Sequence, residues 1–161
     1  MKLSEFLVPE AMVPNLAARD KHGVLAELVN ALVKAGAIEA SVADSVVEGL
    51  MRREALGSTG IGHGVAIPHT KHKGVTRSHL AIGRSKAGIP FDALDGAPVH
   101  LFFVLVSPER SSQEHLEALE YITELVKDAH SRKRIQKATT RERLLKALVD
   151  AEERKTAETP P

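Results

Sequence analysis

The stretch GSTGIGHGVAIPHTKH, residues 57–72, sets His63, His69 and His72 among Gly57, Gly60, Gly62 and Gly64, with Pro68 fixing the backbone one residue before His69. Glycine lacks a Cβ, so backbone N–H groups can come close to phosphate oxygens. A neutral imidazole, available near pH 7, can accept a phosphoryl group on a ring nitrogen. That chemistry needs cations or N–H donors around three oxygens and an in-line approach of donor and acceptor. Two further residues could serve it. Arg53 lies three residues after Leu50 and seven after Val46, so on a helix over 41–54 it projects with the apolar stripe while Arg52 points away. His115 falls in the first turn of the helix expected after the apolar run 99–106, where α/β folds bind anions.

Other chemistries fit less well. A phosphate loop of the GxxxxGK[ST] type would start at Gly57 and reach Gly62, but His63 stands where lysine is required. The dinucleotide pattern GxGxxG starts at Gly60 and meets Val65 at its last position. Zinc would have to gather ligands from distant parts of the chain, because there is no cysteine and no HExxH among the eight histidines, so no metal is expected. Residue spacing alone leaves several readings open. The glycines could form only a tight turn, Arg53 could be a solvated cation at a helix end, and His115 could be a helix-surface histidine.

The elements that must position these residues are legible in outline. Leu25, Leu28, Val29 and Leu32 recur at helical spacing over 20–35 and Gly36 supplies a stop. Ser41 and Asp44 resemble a capping box for the helix carrying Arg53. Short strands are expected at 64–68 and 79–85, and VHLFFVLV, residues 99–106, reads as a central strand covered on both faces. Ser111 and Glu114 form a second box, opening a helix to about Ala129 whose inward residues would be Leu116, Leu119, Ile122 and Val126. A last helix is expected over 140–151, boxed by Thr139 and Glu142. Together these give an α/β domain over residues 1–151, with 152–161 as a disordered tail.

Composition narrows the function classes. The 161 residues are 43% hydrophobic and 27% charged, as in a soluble globular domain. With 3% aromatic residues and a net charge of +1, neither stacking on single strands nor a general pull toward nucleic acid is expected. Residues 127–146 are rich in Lys and Arg, which fits a solvated face or an acidic partner better than nucleic acid. No apolar run approaches the ~20 residues of a membrane helix, the first residues lack a signal-peptide core, and the absence of cysteine fits a cytoplasmic protein.

MRREALGSTGIGHGVAIPHTK, followed by Ser107-Pro108 and His115-Leu116-Glu117-Ala118-Leu119, resembles the signature of enzyme IIA domains of the mannitol/fructose class. These belong to the bacterial phosphoenolpyruvate-dependent phosphotransferase system, and the likeness runs over about residues 3–150. It is strongest toward the nitrogen-regulatory branch. The resemblance implies a mixed β-sheet flanked by helices on both faces. It implies that His69 is phosphorylated on the ring nitrogen far from the main chain, that Arg53 neutralises the phosphoryl group, and that His115 is the second active-site histidine. It implies the histidine-containing phosphocarrier protein as donor, with no metal, nucleotide or other cofactor. The acceptor would be a regulatory target protein bound according to phosphorylation state or, in a sugar-transporting relative, a cysteine of a IIB domain.

Overall fold

The computed structural model describes residues 1–158. Six strands, β1 (Leu7–Val13), β2 (Gly60–Gly62), β3 (Val65–Ala66), β4 (His69–His72), β5 (His79–Ile89) and β6 (Val99–Pro108), form one mixed sheet in the order β1-β5-β6-β3-β2, with β4 also paired to β6. Five α-helices cover it: α1 (Lys21–Lys34), α2 (Ala43–Ala55), α3 (Ser112–Lys127), α4 (Ala129–Lys137) and α5 (Arg141–Glu158). This is the mixed sheet flanked by helices on both faces that the resemblance to enzyme IIA domains implies.

The unbroken apolar run of β6 explains the two-sided cover. Successive side chains of a strand point to opposite faces. Leu101, Phe103 and Leu105 therefore pack into the core shared with α3, α4 and α5, while Phe102, Val104 and Val106 pack into the core shared with α1 and α2. No side chain from Leu101 to Val106 reaches solvent.

Two details of the sheet prepare the site. β3 and β4 pair with β6 in one register, Val65 with Leu101 and Ala66 with Phe102, then His69 with Leu105. They are one strand line interrupted at Ile67-Pro68. Proline has no N–H to give to the ladder, although its carbonyl still accepts from Leu105 N at 2.9 Å. The second detail is Gly49, where α2 passes over β4. A Cβ at this position would lie 2.7 Å from Thr70 Oγ1, so the close approach of α2 to the strand bearing His69 depends on a glycine.

Several expectations change. The Ser41 and Ser111 side chains do not cap their helices: Ser41 bonds to Glu39, α2 is entered through a 3-10 turn at Ala40–Val42, and Ser111 makes no capping bond. The cap of α5 is Thr140, whose Oγ1 accepts from Arg143 N at 3.1 Å, rather than Thr139. Helix α3 turns Ile122 and Val126 inward as expected, with Leu119 packed against the same core, but not Leu116. Leu116 is 51% exposed, while His115, Ala118, Ile122 and Leu125 face inward. The tail expected to be disordered from residue 152 continues α5 to Glu158, and Glu152 accepts from Leu3 N and from the Tyr121 hydroxyl. The remainder of that expected tail, residues 159–161, lies outside the described residues.

Candidate active site

The interruption at Pro68 frees backbone for a purpose other than pairing. The Ile67 carbonyl accepts from His69 Nδ1 at 2.8 Å. A carbonyl can only accept, so the ring hydrogen of neutral His69 sits on Nδ1 and Nε2 carries the lone pair. The side chain is half-buried. Burial lowers its pKa below the ordinary 6.5. The Ile67 carbonyl opposes that shift, and the Arg53 charge adds to it. His69 is thus held as a neutral base with one open nitrogen.

His115 stands beside it. The ring centroids are 5.5 Å apart and the planes are inclined by 53°. His115 is 8% exposed, and its Nδ1 meets the wholly buried Ser107 Oγ at 2.7 Å. Burial, followed by the fields of His69 and Lys71, pushes its pKa down to about 4, so it too is neutral at pH 7. Lys71, two residues after His69 and on the same strand face, donates to Ser112 Oγ at 2.8 Å at the start of α3.

Arg53 comes to the site from the last turn of α2. It is half-buried whereas Arg52 is exposed, as the apolar stripe indicates. Its Nη1 donates to the Gly57 carbonyl at 2.8 Å, and its other guanidinium nitrogens make no hydrogen bond among the described residues. The structure therefore sets His115 beside His69 and places Arg53 where its charge acts on His69. His63 and His72 are engaged elsewhere. His63, at φ 56°, is pinned in the β2–β3 turn by Asp95 and by Gln136 from α4. His72 lies on the opposite strand face, accepting from Gly74 N at 2.8 Å and donating to Ser45 Oγ at 2.7 Å. Among the described residues no three His, Cys, Asp or Glu side chains gather as metal ligands.

Supporting residues carried little signal in the sequence. Glu54, adjacent to Arg53, is 5% exposed. It accepts from Thr59 N at 2.9 Å, from the Thr59 hydroxyl and from Lys21 Nζ at 3.0 Å. Burial works to raise the pKa of this carboxyl, but the Thr59 hydrogen bonds and the contacts with Ser58 and Lys21 prevail and hold it below the usual 4.5. The glycine segment is thereby fastened to the end of α2. A lone glutamate after two arginines reads as surface charge; what identified its partner could have been only the threonine five residues on.

The sequence matches, over residues 5–151, the family described as phosphoenolpyruvate-dependent sugar phosphotransferase system, EIIA 2. The chain belongs to this family. Among relatives of the IIA domain, a nitrogen regulatory protein of Pseudomonas aeruginosa is 38% identical over 152 residues, which cover 94% of this chain and 97% of that protein. A fructose-specific EIIABC component of Bacillus subtilis is 36% identical over 145 residues, 90% of this chain but only 22% of the larger protein. The crystal structure of nitrogen regulatory protein IIA-Ntr from Neisseria meningitidis superposes with a TM-score of 0.81 at 33% identity, covering 91% of this chain and 98% of that one. The IIA mannitol structure from Escherichia coli, at 20% identity and a TM-score of 0.72, shares the fold. No helix among the described residues is long and apolar enough to cross a membrane.

Proposed function

We propose that this IIA domain is a phosphoryl carrier of the nitrogen-regulatory kind, in which His69 Nε2 accepts a phosphoryl group from the histidine-containing phosphocarrier protein in the cytoplasm. One observation carries the reading: the hydrogen bond from His69 Nδ1 to the Ile67 carbonyl leaves Nε2 as the free nucleophile, next to His115 and within the field of Arg53.

The transfer balances without a cofactor. The Nε2 lone pair forms a new P–N bond as the P–N bond of the donor's phosphohistidine breaks, and the leaving imidazole takes the bonding electron pair. His69 keeps its Nδ1 hydrogen on Ile67 throughout. Arg53 turns its unpaired guanidinium nitrogens to the incoming oxygens, and His115 supplies a further contact from the other side. Because both imidazoles are neutral at pH 7, the nucleophile needs no prior deprotonation. The phosphoryl group places close to two negative charges at this surface, one of them offset by the ring that keeps its Nδ1 hydrogen. That is sufficient to reverse the docking preference of a regulatory target. The similarity to the Pseudomonas aeruginosa nitrogen regulatory protein, spanning nearly its whole length, favours this outcome. The fructose-specific relative supports a second one, onward transfer to a cysteine of a IIB partner, although the chain spans 22% of that relative's length.

The test is to incubate the protein with labelled phosphoenolpyruvate, enzyme I and the phosphocarrier protein. An acid-labile, alkali-stable adduct should form on the wild type and be absent from His69→Ala. Equal labelling of the variant overturns the assignment. Adding a IIB domain then separates the two outcomes, since label chased onto its cysteine marks the transporting kind.

A further inference from the structure

The pairing of β5 with β6 sets His79 opposite Val106, and the same register continued by one residue sets Ser78 opposite Ser107. Both hydroxyls are shut away from solvent, Ser78 at 2% exposure and Ser107 at 0%. Ser78 Oγ lies 3.0 Å from Ser107 Oγ, which lies 2.7 Å from His115 Nδ1. Neither hydroxyl makes another hydrogen bond among the described residues.

Three polar atoms in a row make two hydrogen bonds, and two bonds need two hydrogens. If neutral His115 carries its ring hydrogen on Nε2, the Ser78 hydroxyl donates to Ser107, the Ser107 hydroxyl donates to Nδ1, and no hydrogen is left over. If the ring hydrogen is on Nδ1, three hydrogens compete for two bonds. One buried hydroxyl hydrogen then has no acceptor, and an unmet buried donor is costly. The interior of the row therefore dictates what the far edge of the ring presents.

We propose that Ser107, backed by Ser78, is a positioning residue that fixes His115 as the Nε2–H tautomer, so that a hydrogen-bond donor rather than a lone pair faces a phosphoryl group held on His69. The inference rests on the phosphoryl-carrier reading for its purpose, though not for the tautomer itself. A lone pair on Nε2 would repel the phosphoryl oxygens. An N–H there stabilises them without any charge on the ring, and it is in place before the donor protein arrives. Ser107 touches neither the nucleophile nor the phosphoryl group and acts only through His115.

The experiment uses the full chain, labelled with 15N-histidine and unphosphorylated, near pH 7. Long-range 1H–15N correlation spectra distinguish a pyrrole-like from a pyridine-like ring nitrogen. His115 should read as Nε2–H with a bare Nδ1. Ser107→Ala should lose that preference and accept label on His69 at least about tenfold more slowly, part of what deletion of an oxyanion donor costs. Ser78→Ala should keep the Nε2–H tautomer, because the Ser107 hydroxyl alone still supplies the needed hydrogen. A wild-type spectrum with Nδ1–H overturns the proposal, as does an unchanged tautomer in Ser107→Ala. Should Ser107→Ala not fold, the wild-type and Ser78→Ala spectra decide the matter. If His115 shows Nε2–H but His69 takes no label in the wild type, the phosphoryl-carrier reading falls and the tautomer assignment stands.

Discussion

Replacing Glu54 tests whether its carboxylate holds the glycine segment to α2. In Glu54→Ala, Thr59 loses the acceptor of both its N–H and its hydroxyl, and Thr59 is itself buried. An orphaned buried amide costs about 1–3 kcal/mol and a lost hydroxyl bond about 1 kcal/mol. Lys21 suffers less. Its side chain keeps 22% exposure and a second partner, Asp92, at 3.2 Å, so the lost ion pair adds at most ~1 kcal/mol. The total is about 2–5 kcal/mol, a large part of the stability of a domain this size. Glu54→Gln retains one carbonyl oxygen for Thr59 but turns an amide N–H₂ toward Lys21, and should lose about half as much. Urea denaturation followed by circular dichroism measures both. The slope with denaturant should be unchanged while the midpoint falls. A loss below ~1 kcal/mol for Glu54→Ala would refute the reasoning, because the network would then be ornament on a segment held by other contacts.

The same carboxylate has a signature in pH. Its folded pKa lies below the ordinary 4.5, so its contribution to stability is complete above that value and is lost as pH falls through the folded pKa; Glu54→Gln should flatten the acid limb of a stability–pH profile. The lowered pKa of His69 predicts that the initial rate of phosphoryl acceptance falls with acid, where the ring takes a proton on Nε2, with a midpoint below the ordinary 6.5; a midpoint above 6.5 in single-turnover assays contradicts this. Arg53→Ala should slow acceptance by about 2–4 kcal/mol in the barrier, measured by rapid quench, with little change in the urea midpoint. Gly60→Ala would set a Cβ 2.9 Å from the Ala93 backbone, where no side chain can rotate away; a loss of about 1–3 kcal/mol is expected in thermal or urea denaturation, and a neutral result would mean that the β2 edge yields freely.

The sequence made the fold class readable because β6 is apolar without alternation, a pattern that only a doubly covered strand tolerates. Arg53 was readable because Val46 and Leu50 define a stripe that the structure keeps. His115 was found by its place after the central strand, yet its burial was not. Leu116 mimics an inward position, and only the tertiary hydrogen bond to Ser107 shows why the polar ring of His115 goes inside. Helix α4 escaped notice because its lone buried apolar residue is Ile135 and its start depends on Asp128 accepting from Ser131 N. β1 was missed too, since Pro9 and Glu10 break the look of a strand that the sheet tolerates at its edge. Arg84, in the middle of β5, gave no hint of donating to the Pro14 and Gln136 carbonyls, because both partners are backbone atoms of distant segments.

The two cores on opposite sides of the sheet have a bearing on how this site could be lost. Arg53 hangs from the α1–α2 layer, His115 from the α3–α5 layer, and His69 from the strand line between them. The triad is a seam, and neither half of the molecule inherits it. Loosening one layer would strip away the guanidinium and spare the neighbouring ring; loosening the other would do the reverse. Damage far from the histidines, provided it is confined to one layer, should thus leave a chain that still folds in part and still presents an imidazole, but an imidazole without its escort.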